Sequence, residues 1–169
     1  MSNYQVKSSD TRHFVATAEN EKIGELNYDN WYSFKSELLL ATGEAFQVEP
    51  KGFWGTTIEL KKAGVVLLNF KMHWDGNIII KTWFDNEESN YYFKYKSIFK
   101  TSFVLQDENE KVFLEIQPDF QWSKLSYNYR ISTADEFDQI SHNKILLLTT
   151  VHCANYFMHM MSGTVLSGI

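Results

Sequence analysis

The sequence predicts a mainly β protein, a closed antiparallel barrel of about 11–12 strands enclosing a hydrophobic C-terminal helix. Three observations carry that expectation. Aromatic residues make up 16% of the chain, and Phe, Tyr and Trp favour pleated, half-buried surfaces. Short β-type runs follow one another over most of the length, with turn chemistry between them and no helical interruption. Near the end, residues 145–161 (ILLLTTVHCANYFMHMM) contain no charged side chain.

In chain order, residues 1–10 are polar and are expected to form a disordered tail. Residues 11–169 then make a single β-barrel domain, a length that suits one core. Candidate strands fall at 13–18, 23–28, 32–39, 44–49, 56–61, 65–74, 78–84, 91–96, 101–106, 112–117 and 125–132. Turn residues separate them, among them Thr42-Gly43, Pro50-Lys51-Gly52, Ala63-Gly64 and Asp75-Gly76-Asn77. In the run 65–74, Leu68, Phe70, Met72 and Trp74 share one face and Asn69, Lys71 and His73 the other. A three-residue loop at 75–77 sets Met72 against Ile80, Phe70 against Thr82 and Lys71 against Lys81, which keeps like facing like.

After Ser132 the pattern changes. Thr133-Ala134-Asp135-Glu136 has the acidic character of a helix start, and Ser162-Gly163 that of a stop, giving a central helix at about 136–161. A helix apolar on all sides needs burial on all sides, in a core or in lipid. The segment is short for a bilayer and contains His152, Asn155 and His159, so a barrel interior is the preferred container.

Many short strands followed by an uncharged helix resemble the tubby C-terminal-like fold, shared by tubby proteins, phospholipid scramblases and the plant LURP-one-related proteins. The stretches that prompt the comparison are KGFWGTTIEL at residues 51–60, the strand pair over residues 91–105 and the terminal run 145–161. It is a resemblance of pattern rather than of a signature motif, and it spans residues 23–161. It implies a non-enzymatic barrel associated with lipid or membrane. The basic patch of tubby proteins and the calcium segment and cysteine cluster of scramblases have no counterpart here, so no functional residue is carried over.

Composition and motifs narrow the function classes. The formal net charge is -5 and no basic run occurs, so the footprint for binding phosphate backbones is missing and nucleic acid is not an expected partner. One cysteine, Cys153, excludes an intrachain disulfide, and residues 1–10 lack the apolar stretch of a secretory signal. A cytoplasmic protein, peripheral at the membrane, is the expectation. No nucleophile elbow, phosphate loop, HExxH or paired-cysteine motif is present. The reading therefore leans away from an enzyme and assigns no catalytic residue, metal or cofactor.

Two candidate binding groups remain. Lys71, His73 and Lys81 on the outer face could hold an anion or lipid headgroup, although solvated lysines covering apolar surface are the plainer explanation. His152, Asn155 and His159 form one stripe on the helix and could line a cavity, although buried polar groups commonly just satisfy neighbours. His152 and Cys153 point about 100° apart, which argues against a thiolate–imidazole pair. Phe53-Trp54, at the exit of a turn, could touch lipid or plug a barrel end, and the acidic clusters lie at turns without calcium-loop spacing. The functional expectation is a non-catalytic tubby-like barrel that binds a lipid headgroup, a membrane surface or a protein. A small-ligand-binding protein with a cavity beside the helix is the alternative.

An enclosed helix makes one mutation diagnostic. Leu147→Asp places a lone charge in the interior and should cost roughly 3–5 kcal/mol, enough to unfold the chain. Loss of the cooperative thermal transition followed by circular dichroism checks it; a melt close to wild type would put the helix outside.

Overall fold

Twelve antiparallel strands close on themselves in simple chain order, each paired with the next and β12 with β1. They are β1 Ser2–Ser8, β2 His13–Ala18, β3 Glu21–Tyr28, β4 Ser36–Leu40, β5 Ala45–Lys51 and β6 Thr57–Lys62. There follow β7 Val65–Met72, β8 Ile78–Phe84, β9 Glu87–Ser97, β10 Ser102–Gln106, β11 Val112–Gln121 and β12 Ser126–Thr133. A 3-10 turn, Asp135–Gln139, leads to one helix, α1, Asn143–Leu166. The structure, a computed structural model, describes residues 1–30, 35–51, 57–97 and 99–166, with side chains described as far as Met160.

Period-two alternation builds the wall. In β8, Ile78, Ile80, Thr82 and Phe84 are buried while Ile79, Lys81 and Trp83 face outward. Outward positions carry polar residues such as Glu25, Glu37, Gln47, Lys61 and Arg130. Glu49 and Glu59 oppose each other across β5 and β6, and Lys61 lies 3.2 Å from both carboxylates, bridging the like charges.

Every residue of α1 from Ile145 to Ala154 is buried. The helix is held from several sides. Phe157 sits 5.4 Å from Phe103 and 5.9 Å from Phe93, ring centre to ring centre, against β9 and β10. His152 lies between Tyr28 of β3 and Phe70 of β7, with centroids 5.3 Å from each. The uncharged segment is therefore the core of the barrel.

Four sequence expectations are corrected. Residues 1–10 are not a disordered tail, because β1 pairs with both β12 and β2 and completes the closure. Its inward set is only Tyr4, Val6 and Ser8, too short an apolar signal to read, and its anchorage comes from side chains elsewhere. Asn128 Oδ1 accepts the Ser8 N–H at 2.9 Å, and Lys124 Nζ donates to the Ser8 carbonyl at 2.9 Å.

The helix start is also displaced. The acids at 135, 136 and 138 form a solvent-facing 3-10 turn whose Phe137 is buried. The chain then breaks at Ile140, passes through a positive φ of 56° at His142, and only then enters α1. That break lets the chain turn from the wall into the lumen. At the other end α1 continues past Ser162-Gly163 to Leu166.

The third and fourth corrections concern the β7–β8 hairpin. Its loop is five residues, 73–77, and the register sets Phe70 against Ile80, Lys71 against Ile79 and Asn69 against Lys81. The His73 carbonyl accepts the Gly76 N–H at 3.0 Å, Gly76 has φ 85°, and Asp75 accepts the Asn77 N–H at 3.0 Å. This turn chemistry starts two residues earlier than the sequence suggests. A shift of two preserves the faces but changes every partner. Trp74 consequently leaves the inner face and is exposed.

The two ends of the barrel differ. Connections at the end where α1 enters include three two-residue turns, Glu19-Asn20, Ala63-Gly64 and Asp85-Asn86, each with positive φ at both positions. Connections at the end where α1 leaves are four to seven residues long.

The helix approaches the wall closely at Gly24 in β3. A Cβ there would lie 2.8 Å from Leu148 Cδ1 and 2.7 Å from the Leu39 carbonyl oxygen. Gly24→Ala should crowd both the Leu39 carbonyl of β4 and the Leu148 side chain of α1 and destabilise by about 1–3 kcal/mol, the usual cost of overpacking. Urea unfolding measures it, and an unchanged midpoint would mean the helix is not seated there.

Candidate functional site

The outer-face group separates once the register is known. Lys71 and Lys81 both point outward, but Lys71 faces Ile79 and Lys81 faces Asn69. Lys81 Nζ lies 2.8 Å from a Glu88 carboxylate oxygen and also sits over the Trp83 ring. His73 is in the loop, its Nδ1 3.3 Å from Asp75. Two of the three side chains thus have carboxylates of their own, and the group does not converge on a shared anion position.

The helix stripe is more ordered. Tyr129 Oη donates to Asn155 Oδ1 at 2.6 Å, and Asn155 Nδ2 donates to Tyr28 Oη at 3.0 Å. Tyr28 Oη lies 2.9 Å from His152 Nδ1. The Tyr28 hydroxyl, which accepts from Asn155, thus also pairs with Nδ1 of His152 and brings the ring into the network as a neutral imidazole. Burial agrees with that state. It lowers the His152 pKa to about 3 and holds both tyrosines above the ordinary phenol range. The network ties α1 to β3 and β12 and fixes the rotation of the helix.

Beyond this network, where α1 leaves the barrel, lies a cavity of about 500 Å³. Phe14, Tyr28, Phe120, Leu125, Tyr127 and Met158 supply an apolar lining, and Thr11, Ser126, Asn155 and His159 supply polar atoms. Two of the three stripe residues therefore reach the cavity, Asn155 at depth and His159 one turn further out. His152 does not; it is enclosed between rings. Cys153 is fully buried, and burial raises its thiol well above the usual range, leaving an inert apolar side chain. Phe53-Trp54 lie outside the described residues.

A feature that the sequence reading missed occupies the same end. Trp74 is 90% exposed, Phe99 99%, Trp122 82% and Leu125 70%. They come from three successive connections at that end, β7–β8, β9–β10 and β11–β12. The available signal was a large apolar residue inside each turn motif, as in Trp74-Asp75-Gly76 and Trp122-Ser123-Lys124.

Charge is divided between the ends as well. In sequence, the connections at the entry end (19–20, 41–44, 63–64, 85–86, 107–111 and 134–142) carry nine carboxylates and one lysine, a net of -8. Those at the exit end (9–12, 29–35, 52–56, 73–77, 98–101 and 122–125) carry Arg12, Lys35, Lys100 and Lys124 against three aspartates, a net of +1.

Among the described residues no group of three or more His, Cys, Asp or Glu side chains gathers as a metal site, and no helix is long and apolar enough to cross a membrane. The architecture defines the class: a closed twelve-stranded antiparallel barrel with a helix through its interior. No protein-family model, curated protein or solved structure matches the chain.

The neutral state of His152 has a pH consequence. Its folded pKa lies below the unfolded value of about 6.5, so the unfolded chain takes up a proton that the folded chain refuses. Stability from this group is complete above pH 6.5 and falls as pH drops toward 3, by up to about 1.4 kcal/mol per unit. Urea unfolding between pH 7 and 4.5 should show a steeper decline for wild type than for His152→Gln, and parallel curves would remove the assignment.

Proposed function

We propose that this chain is a non-catalytic, tubby-like β-barrel that docks end-on to an anionic membrane surface, as a peripheral protein of the cytoplasmic face. The observation that carries the reading is the exposure of Trp74, Phe99, Trp122 and Leu125 on consecutive connections at one end. Strands lie about 4.8 Å apart, so successive connections at one end are roughly 10 Å apart along the rim. An amphipathic indole with an apolar body and an N–H suits the boundary between headgroups and acyl chains. A contiguous set of such groups left in water marks an interaction surface.

The charge pattern supports the same orientation. Carboxylates at the entry end are repelled by anionic lipid, whereas Lys100 and Lys124 sit among the exposed rings. Each basic residue held near such a surface contributes about 1 kcal/mol. A molecule of overall negative charge is thereby turned with its exit end toward the lipid. This moves the expected binding surface from the outer wall around Lys71, His73 and Lys81 to the barrel end.

Flotation with phosphatidylcholine vesicles, with and without phosphatidylserine, tests the reading. Wild type should float with phosphatidylserine vesicles. The double variant Trp74→Ser, Phe99→Ser should bind at least about tenfold more weakly with an unchanged melting temperature, each exposed ring contributing on the order of 1 kcal/mol or more. Lys81→Glu on the wall should bind as wild type does; selective loss there would return the surface to the wall. Equal and negligible flotation on both vesicle types would defeat the proposal.

A further inference from the structure

The cavity at the exit end has the makings of a site of its own beside the exposed rings, sharing only Leu125 with that group. Its volume of about 500 Å³ is in the usual range for small-molecule sites, about 300–1,000 Å³. It combines an apolar lining with a small number of fixed hydrogen-bonding groups, the usual composition of such sites. One of these groups, the amide of Asn155, is held rather than loose. Tyr129 donates to its oxygen and its nitrogen donates to Tyr28. A primary amide has two N–H donors and two carbonyl lone pairs, so one of each remains after those bonds. Asn155 therefore presents a donor and an acceptor side by side, pre-oriented by two tyrosines that are themselves locked into the wall.

The lining also specifies charge. Among the described residues that line it there is no Lys, Arg, Asp or Glu. An anionic head taken into this space would lose hydration and meet the His159 imidazole but no Lys or Arg, an unfavourable exchange. A neutral hydroxyl or carbonyl would instead exchange water for the amide at little cost.

We infer that this cavity binds an uncharged, largely apolar small molecule whose single hydroxyl or carbonyl group is received by Asn155. Met158 and the surrounding rings cover the apolar part, and the thioether adapts to its shape. The site does not depend on membrane docking. Its occupant could be delivered from water or from a bilayer, and binding can be measured with no lipid surface present.

The test uses 1-aminoanthracene, an uncharged apolar fluorophore, as the probe, with 1-decanol and decanoate as competitors of equal chain length. Wild type should bind the probe saturably, and 1-decanol should displace it at a concentration at least about tenfold lower than decanoate, reflecting the penalty on the buried carboxylate. Thr11→Trp narrows the mouth from an exposed loop position, and Ser126→Phe fills the interior. Each should weaken probe binding by about tenfold or more. Thr11→Trp alone decides the matter if Ser126→Phe does not fold. The double variant Trp74→Ser, Phe99→Ser, at two exposed rings outside the lining, should keep the wild-type probe affinity, which separates failure here from failure of membrane docking. Absence of saturable binding, or wild-type affinity in the narrowed and filled variants, would overturn the cavity. Displacement by decanoate as effective as that by 1-decanol would overturn its preference for a neutral ligand.

Discussion

The constraint on which the structure rests is that α1 has no face suited to water. Ten consecutive residues, Ile145 to Ala154, are buried, which in a helix means enclosure around the full circumference. One sheet packed against one side would leave the rest of that surface exposed. Closing the sheet is the solution that also removes every edge, so that no row of unpaired backbone groups is left to recruit another chain. Barrel and helix thus specify each other. The wall needs a filling wider than its own side chains can supply, and the helix needs a wall all round.

Where the fit is tight, the sequence has local devices. Gly24 allows Leu148 to approach β3. The Tyr28–His152 and Tyr28–Asn155–Tyr129 bonds then set the rotation of the helix in a way that apolar packing alone would not. Such a network is informative because each member is committed: removing one leaves a buried partner unsatisfied. The same network forms the floor of the cavity. The rigidity that positions the helix therefore also positions the amide that faces a ligand.

Much of this was legible in the residues. Alternation located eleven of the twelve strands, and the absence of charge over 145–161 gave both the helix and its enclosure. What was hidden has physical reasons. β1 contributes only Tyr4 and Val6 as apolar inward residues, and it is held by Asn128 and Lys124 from more than a hundred residues away. The β7–β8 register turned on a five-residue loop whose hydrogen bonds leave no unambiguous trace in composition, and with it went the expected opposition of Lys71 and Lys81. Asn155 and His159 were found as a stripe because helical spacing is regular, but their tyrosine partners depend on which strand faces which helical turn. The exposed ring of Trp74 was mistaken for a core residue because alternation continues smoothly past the true end of β7.

The seam between β1 and β12 has a kinetic implication. The first strand and the last lie side by side, so the ring is sealed by pairs such as Ser2 with Thr133 that are far apart in sequence, and the helix it shelters is formed from still later residues. Contacts of such separation require most of the chain to be ordered before they are rewarded. The uncharged rod must therefore be admitted before, or together with, the sealing of the ring. During synthesis the inward faces of the strands stay uncovered until the helix has been made. Assembly should be slow and strongly cooperative for a protein of this length, with transient aggregation as its characteristic hazard.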